Sequence, residues 1–297
     1  MSFRAGVVAV IGRPNVGKST LVNAIVGQKV SIVSSKPQTT RRRAMGIATT
    51  PDWQIAFVDT PGVHRPKHRL GKALNDAAKQ AVRDVDVLLV VVDASKPPSP
   101  EDRSLALMLQ DTGALVPERT VLCLNKMDLL KAHDVQRHFD EYVALFPAGA
   151  NMMTSVTKKR NLDLLLGLLV ERLPEGEALF EADAFTDQTL RAMAAEIVRE
   201  KAINATRQEV PHALATYVEQ WDEDDTIAHI AVVLLVERDG QKSILIGTKG
   251  SVLKQIGTEA RLEMEELIGK KVFLELFVKV RDDWRESPRI LNELEYM

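Results

Sequence analysis

The sequence predicts an α/β domain, built on a mostly parallel sheet covered by helices on both faces, followed by a smaller α+β domain. Three observations lead to this prediction. Apolar runs of strand length alternate with helical segments as far as residue 173, which is typical of parallel sheets. A proline and a glycine at 174–176 then break the alternation. Beyond them the predicted order becomes helix, strand, strand, short helix, helix, strand, which indicates a second domain.

Length and composition suit this division. The chain has 297 residues, 45% of them hydrophobic, enough for two domains that each bury a core. No apolar stretch approaches about 18 residues, so we expect no transmembrane helix, and we expect no signal peptide before the first strand. The single cysteine, Cys123, lies in an apolar run, where a buried side chain is more common than a reactive thiol. We therefore expect a cytoplasmic protein.

The net charge of −2 is unevenly distributed along the chain. From Asp183 to the end there are 15 Lys and Arg against 22 Asp and Glu, whereas the first 182 residues carry a net charge of +5. If the second domain binds nucleic acid, a general basic field cannot be the cause. The contact must instead be a local patch.

The first motif, GRPNVGKS at 12–19, stands between a predicted strand at 7–11 and a predicted helix at 20–26. It has the G-x-x-x-x-G-K-[ST] pattern of a P-loop in the required strand–loop–helix context. The glycines let backbone N–H groups surround a phosphate, while Lys18 supplies charge and Ser19 offers a hydroxyl to Mg²⁺. A glycine-rich turn that binds nothing is the alternative for this motif alone. The predicted nucleoside triphosphate site comprises Gly12, Arg13, Pro14, Asn15, Val16, Gly17, Lys18, Ser19 and Thr20.

The remaining elements of the first domain place the later motifs. Strands are predicted at 55–59, 85–93, 120–124 and 151–155, and helices at 70–83, 101–110, 133–145 and 162–173. Ligands of such sheets bind at the carboxyl ends of the strands. We therefore expect the motifs that follow these strands to lie close to the phosphate loop.

The motif Asp59-Thr60-Pro61-Gly62 follows the second predicted strand. An acidic residue there suits Mg²⁺, directly or through water, and Gly62 can bring its N–H to a γ-phosphate. By itself D-T-P-G is equally typical of an ordinary turn, but its position relative to the phosphate loop favours the site.

A polar segment at 38–43, QTTRRR, lies between these two motifs. Either Thr39 or Thr40 can complete the Mg²⁺ shell and form a nucleotide-sensitive switch. The residue after Gly62 is Val63, at the position where many GTPases place a water-orienting glutamine. Since valine cannot orient water, we expect intrinsic hydrolysis to be slow or to depend on another group.

The third motif, Asn125-Lys126-Met127-Asp128, identifies the base. A carboxylate at Asp128 can accept both N1–H and N2–H₂ of guanine, whereas adenine offers no matching pair of donors. Charge-assisted hydrogen bonds contribute roughly 1.5–3 kcal/mol each, enough to select guanine. The motif could also be a helix cap, but the ordered set of three motifs favours a guanine nucleotide.

In the second domain a helix is predicted at 186–206, strands at 210–220 and 227–238, a helix at 251–268 and a strand at 272–280. The stretch Gly247-Thr248-Lys249-Gly250 separates an apolar I-L-I from the helix at 251–268. Between 241 and 258 there are three lysines, Lys242, Lys249 and Lys254, and no acidic residue. This is a local basic patch that suits a loop clamping a single-stranded backbone. A helix–turn–helix glycine turn without a ligand is the alternative.

These motifs together resemble the Era family of bacterial ribosome-assembly GTPases over essentially the whole chain. The resemblance rests on GRPNVGKST, QTTR, DTPG and NKMD in the first domain, and on REK at 199–201, GTKG, IGTEAR and LELFVKV in the second. It implies a Ras-like GTPase domain at 1–173, a linker at 174–185, and a type II KH domain with a C-terminal tail at 186–297.

The resemblance also implies roles for single residues. Lys18, Thr40, Asp59 and Gly62 would be catalytic, and Ser19, Thr40 and Asp59 would hold Mg²⁺ beside GTP or GDP. Asn15 becomes a K⁺ ligand candidate, because related GTPases without the catalytic glutamine use that ion. Ser155-Val156 stands where the family has a base-contacting Ser-Ala, and the basic residues Lys158, Lys159 and Arg160 follow where glycine is frequent.

As partners the resemblance implies the 3′ end of 16S rRNA and the small (30S) ribosomal subunit, with no DNA, and peripheral association with the inner membrane. The predicted function is a GTP-driven assembly factor. The alternative is a non-catalytic RNA-binding adaptor with a GTP-sensing site.

Overall fold

The structure is a computed structural model that describes residues 2–34, 36, 39–41, 44–63, 68–83, 85–207 and 209–297. It divides into two compact units. The first contains most of residues 1–187, and the second contains residues 188–297 with the short stretches 34–39 and 68–70. The boundaries at 173/174 and 185/186 remain predictions.

The first unit is an α/β domain around one six-stranded sheet, as predicted. The strands are β1 Arg4–Ile11, β2 Ala44–Thr49, β3 Trp53–Asp59, β4 Val87–Asp93, β5 Thr120–Asn125 and β6 Ala150–Met153. The helices are α1 Lys18–Val26, α2 Arg69–Ala81, α3 Pro100–Asp111, α4 Val135–Leu145 and α5 Leu162–Val170. The strand order is β2-β3-β1-β4-β5-β6, and all pairs are parallel except β2 with β3.

Both faces of this sheet are buried, because successive side chains of a strand point to opposite sides. In β1, Val8 and Val10 belong to one apolar cluster, and Ala9 and Ile11 belong to the other. This explains why the strands are apolar throughout instead of alternating. The parallel strands end together at one edge of the sheet, where the predicted site residues follow.

The edge strand β2 was not predicted from the sequence. Its six residues, AMGIAT, include a glycine and show no clear period. A Cβ atom on Gly46 would lie 2.7 Å from a Val22 methyl group, so the strand packs tightly against α1. Pairing and packing, rather than local propensity, form this strand.

Residues 174–187 lie along the first sheet. The Ala5 N–H donates to the Pro174 carbonyl at 3.2 Å, and the Ile47 N–H donates to the Phe185 carbonyl at 2.9 Å. The Gln54 side chain accepts from the backbone N–H groups of Leu179 and Phe180 at 2.7 and 2.9 Å. These bonds anchor the segment to the first unit.

The second unit is an α+β domain, as predicted. Its elements are α6 Leu190–Ala205, α7 Val210–Ala213, β7 Ala215–Glu223, β8 Ile227–Val236, α8 Asp239–Ile246, α9 Ser251–Ile268, β9 Lys271–Val280 and α10 Pro288–Glu293. The sheet order is β7-β8-β9, with β7 antiparallel and β9 parallel to β8. Helix α9 has the predicted bounds and buries Ile256, Ala260 and Met264, which lie on one face at four-residue spacing.

Two elements in this unit start four or more residues later than the sequence predicted. The strand expected at 210–220 begins only at Ala215, because α7 occupies the first four residues, and Pro211 in its first turn has no N–H for a strand ladder. Helix α6 starts at Leu190 rather than at residue 186, where the Thr189 side chain caps it by accepting the Ala192 N–H.

Candidate functional site

The phosphate loop lies between β1 and α1, where the sequence predicted it. Gly17 caps α1 with φ 105°, a conformation that favours glycine. A Cβ atom on Gly12 would lie 2.3 Å from the Val91 carbonyl oxygen, so a side chain there cannot fit. The first turn of α1 has no acidic residue and no side-chain cap, which leaves its N–H groups available to an anion.

Lys18 is buried within this loop. Its ammonium group donates to the carbonyl oxygens of Gly12 and Arg13 at 3.0 and 3.2 Å. Burial lowers the pKa of Lys18 to about 8, an effect that the nearby Asp59 carboxylate partly offsets. Negative phosphate charge in the loop would favour the ammonium form.

Three oxygen-bearing side chains meet beside the loop. The Ser19 hydroxyl donates to Asp59 Oδ2 at 2.6 Å and lies 2.9 Å from Thr40 Oγ1. Burial raises the pKa of Asp59, although Lys18 opposes the shift, and Asp59 Oδ1 has no hydrogen-bond partner among the described residues. A hard divalent cation would satisfy that buried oxygen and stabilise the carboxylate, so these residues fit Mg²⁺.

The protein alone supplies few ligands for such an ion. In the described part of the chain, no group of three or more His, Cys, Asp and Glu side chains could hold a metal. An ion at Ser19 and Asp59 would therefore need further oxygens from hydroxyls, water or a bound phosphate, as Mg²⁺ in nucleotide sites typically does.

The structure separates the two threonines that the sequence left open. Thr40 contacts Ser19, whereas the Thr39 hydroxyl donates to the Lys36 carbonyl at 2.7 Å. The geometry favours Thr40 as the switch threonine. Residues 38, 42 and 43 of the same segment lie outside the described residues.

The D-T-P-G turn lies against the phosphate loop. The Thr60 hydroxyl donates to the Val10 carbonyl at 2.9 Å, and a Cβ atom on Gly62 would lie 2.8 Å from the Pro14 nitrogen. Val63 is buried in an apolar cluster with Ala9 and Ile11. Its side chain therefore has a packing role and cannot orient water.

Asn125 joins the guanine motif to the phosphate loop. Its Nδ2 donates to the Val16 carbonyl at 2.8 Å, and its Oδ1 accepts the Val156 N–H at 3.2 Å. The Lys126 ammonium donates to the Asn15 carbonyl at 2.7 Å. The side chains of Asn125 and Lys126 thus hold the phosphate loop in place through its backbone carbonyls.

The Ser155-Val156 pair supports this motif in two ways. The Ser155 hydroxyl donates to Asp128 Oδ1 at 2.5 Å and thereby orients the carboxylate. Val156 contributes its backbone N–H to Asn125, a contact that does not depend on its side chain. The replacement of alanine by valine after Ser155 is therefore compatible with the site.

The basic residues Lys158, Lys159 and Arg160 form an exposed turn next to this pair. The Arg160 N–H donates to the Ser155 carbonyl at 2.9 Å, and Lys159 has φ 51°.

Two carboxylates near the phosphate loop were missed by the sequence analysis, Asp93 and Asp102. Asp93 ends β4 at the same edge of the sheet as Asp59, and this position was the available signal. Asp102 lies in the first turn of α3, where the pattern S-P-E-D predicts a capping box with Ser99.

The GTKG loop joins α8 to α9 in the second unit. Gly247, Lys249 and Gly250 have φ values of 71°, 51° and 78°, which form a sharp reversal. A Cβ atom on Gly247 would lie 2.5 Å from a Val252 methyl group, whereas one on Gly250 would meet no atom within 4 Å. Thr248 and Lys249 are exposed at the tip.

A groove of about 360 Å³ begins at Gly250 and runs between α9 and β9. Lys254, Thr258 and Arg261 contribute polar atoms, and Leu274 and Leu276 form an apolar floor. Lys242 and Lys254 were both predicted to bind RNA. Lys254 lines this groove, whereas Lys242 lies in α8 and does not. Arg261 was not predicted, and it forms an ion pair with Glu265 at 2.8 Å.

Fold and site together define a P-loop nucleotide-binding domain with a guanine-recognition motif, followed by a KH-like domain. Profiles of two families match the chain, "50S ribosome-binding GTPase" at residues 7–126 and "KH domain" at residues 209–285. The chain is 45% identical to GTPase Era of Geobacter metallireducens, with 99% of this chain and 98% of the relative covered. It is 42% identical to GTPase Era of Heliobacterium modesticaldum, with 98% and 96% covered.

Two solved structures of Era proteins also match this chain over nearly its whole length. Era of Aquifex aeolicus, as a single-residue variant bound to GDP and aluminium tetrafluoride, superposes with a TM-score of 0.93 at 39% identity and covers 99% of both chains. Era in complex with MgGDPNP and nucleotides 1506–1542 of 16S ribosomal RNA gives 0.93 at 40% identity, with the same coverage. The chain belongs to the Era family of GTPases and is itself a GTPase.

Among the described residues, no helix is both long enough and apolar enough to cross a membrane.

Proposed function

We propose that this GTPase is an assembly factor of the small ribosomal subunit that binds the 3′ end of 16S rRNA and couples that contact to its GTPase cycle. The observation that carries the proposal is the full-length similarity to an Era bound at once to MgGDPNP and to a 16S rRNA fragment. This chain has a phosphate loop that suits the nucleotide and a basic groove that suits the RNA. We assign the protein to the cytoplasm, where subunits are assembled.

The first unit is proposed to bind Mg²⁺ and GTP. Ser19, Thr40 and Asp59 would hold the ion, which supplies positive charge to the β- and γ-phosphates when bound. The Lys18 ammonium group would give up its hydrogen bonds to the loop carbonyls and donate to a phosphate oxygen instead. The N–H groups of the phosphate loop, α1 and Gly62 would provide further donors.

Guanine selection is proposed to depend on Asp128. Ser155 donates to one of its carboxylate oxygens, so that the group is fixed in orientation. The remaining acceptor positions suit the two donors of guanine, which adenine lacks. A base without those donors would cover the carboxylate and leave it without a partner, which is costly, so this arrangement would discriminate between the bases.

The attacking water must be positioned by a group other than Val63. We propose that Asn15 helps to hold a K⁺ ion at the phosphates, where positive charge would stabilise the negative charge that develops during transfer. Asn15 suits this role because it lies in the phosphate loop with φ 64°, and its carbonyl oxygen is fixed by Lys126.

The second unit is proposed to bind single-stranded rRNA in the groove between α9 and β9. The open space at Gly250 lets a nucleic-acid backbone approach the loop, and Lys249 and Lys254 supply charge. Leu274 and Leu276 offer an apolar surface for bases. In the proposed cycle GTP orders the switches, the KH domain holds the RNA, and hydrolysis releases the complex.

The test is GTP turnover in K⁺ and in Na⁺ at equal ionic strength, each with and without an oligonucleotide of the 16S rRNA 3′ end. A scrambled oligonucleotide and Lys18→Ala are the controls. We expect faster turnover in K⁺, sequence-specific RNA binding, and cosedimentation with small subunits in the GTP state. Equal binding of the scrambled RNA and no cosedimentation would contradict the assembly role, and equal turnover in both salts would contradict the K⁺ site.

A further inference from the structure

Asp93 lies at the carboxyl end of β4 with both carboxylate oxygens engaged. Oδ1 accepts the hydroxyl and the backbone N–H of Ser95 at 2.6 and 3.2 Å. Oδ2 accepts the Lys126 ammonium at 2.9 Å and lies 3.7 Å from the Arg13 guanidinium. Burial opposes ionisation of Asp93, but the bonds from Ser95 and Lys126 hold its pKa below the usual range.

Asp102 holds the other side of Arg13. Its Oδ2 accepts Arg13 Nε at 3.2 Å and also accepts the Ser99 hydroxyl and N–H at 2.7 and 2.9 Å. Asp102 is completely buried, so the position of its carboxylate is fixed by α3. Arg13 is thus held between two acidic side chains that belong to different elements.

These contacts connect the two halves of the nucleotide site. Lys126 belongs to the guanine motif and also donates to the Asn15 carbonyl of the phosphate loop at 2.7 Å. Arg13 belongs to the phosphate loop, and its carbonyl oxygen accepts from Lys18 at 3.2 Å. Asp93 is the group that lies between both cations, so its negative charge acts on the two loops together.

We propose that Asp93 is a positioning residue for the guanine nucleotide, acting through Lys126 and Arg13 to hold the guanine motif against the phosphate loop. Its bond to Lys126 is charge-assisted, and the Asp93 end of it is buried, which makes it stronger than a fully exposed ion pair. Without that charge, Lys126 loses its ion pair and keeps only the Asn15 carbonyl as a partner among the described residues. The role therefore concerns affinity for GTP and GDP, because the carboxylate faces two loop cations and not the cluster of Ser19, Thr40 and Asp59.

The decisive variant is Asp93→Asn, which keeps the shape of the side chain and removes the charge. We expect the affinities for GDP and GTP to fall by about ten- to a hundredfold through faster dissociation, measured by stopped flow with a fluorescent nucleotide. The value of kcat at saturating GTP should fall much less than the affinity. Ser95→Ala, which only loosens the carboxylate, should cause a smaller loss in the same direction.

The matched control is Asp86→Asn, because Asp86 flanks the opposite end of β4 and its carboxylate accepts the Val7 N–H at 2.8 Å. It should lower the melting temperature without changing nucleotide dissociation. In a double-mutant cycle, Asp93→Asn should have little further effect once Lys126→Gln is present.

Three results would overturn the proposal: unchanged dissociation in folded Asp93→Asn, full additivity with Lys126→Gln, or an equal loss of affinity in Asp86→Asn. None of these measurements involves RNA or ribosomal subunits. Failure of the positioning role is therefore distinguishable from failure of the assembly role.

Discussion

A Cβ atom on Gly17 of the phosphate loop would lie 2.4 Å from the Asn125 amide nitrogen, whereas one on Gly250 of the GTKG loop would meet no atom within 4 Å. Both glycines have positive φ, 105° and 78°, so both backbones favour glycine. They differ in what surrounds them. The phosphate loop is already packed against other parts of its own domain, while the GTKG loop leaves space for a ligand.

The difference indicates two ways of building a phosphate-binding loop. In the first unit, contacts from Asn125 and Lys126 fix the loop before any nucleotide binds, so the site is preorganised. In the second unit the loop conformation comes from its own backbone, and the surrounding space is open. Substitutions should therefore affect the two loops for different reasons.

The largest effect is expected for Gly17→Ala. The new methyl group would displace the Asn125 side chain, which bonds to Val16 and Val156, and nucleotide affinity should fall by roughly a hundredfold or more. The matched control is Gly27→Ala at the other end of α1, where φ is 79° and no atom lies within 4 Å. It should cost only about 1–2 kcal/mol of stability through backbone strain. Equal nucleotide affinities of the two variants, measured by calorimetry, would show that packing at Gly17 is unimportant.

The second effect concerns base selection within the packed site. Asp128→Asn replaces an acceptor with a donor, so GTP should bind roughly tenfold to a hundredfold more weakly and xanthosine triphosphate should be favoured. A competition assay with both nucleotides measures the switch. An unchanged preference for GTP would remove Asp128 from the base site.

The third effect tests the open loop. Gly250→Asp places a negative charge where an RNA backbone would approach, and aspartate tolerates positive φ better than most residues, so the variant should fold. Binding of the rRNA 3′-end oligonucleotide should weaken at least about tenfold, while nucleotide affinity stays near that of the unmodified protein. Gly250→Ala should cause a smaller loss, since it adds bulk without charge. Circular dichroism checks folding, and normal RNA binding by folded Gly250→Asp would leave the loop as a simple helix connection.

The sequence was most informative where chemistry depends on residues close together in the chain. The phosphate loop, the guanine motif and the GTKG loop are such cases, and the comparisons confirm the fold class and the GTPase activity that these motifs indicated. Asp93 and Asp102 could not be found in this way. Their cationic partners, Lys126 and Arg13, are 33 and 89 residues away, and only the tertiary fold brings them together.

The secondary-structure prediction was wrong at two places, β2 and α7. The strand at Ala44–Thr49 is formed by pairing with β3, and no local sequence pattern predicts it. The error at 210–213 had a local signal, because Pro211 removes a strand donor and suits the first turn of a helix. Tertiary pairing therefore explains the first miss, and proline chemistry that was available in the sequence explains the second.

The smallest effect is expected for Lys249→Ala, which removes one charge from the open loop without changing its shape. Lys249 is exposed at the loop tip with φ 51°, so its side chain is free to meet a phosphate and little packing is lost on truncation. RNA affinity should fall only a fewfold, and the slope of log K against log salt should decrease by about 0.7, the value for one phosphate contact on a single strand. The matched control is Lys271→Ala, which also removes one positive charge. By strand alternation Lys271 lies on the face of β9 opposite the groove residues Leu274 and Leu276. Fluorescence anisotropy across a salt series measures both slopes. If the two variants change the slope equally, the loop lysine contributes only to the overall charge of the domain, and direct contact between Lys249 and a phosphate is ruled out.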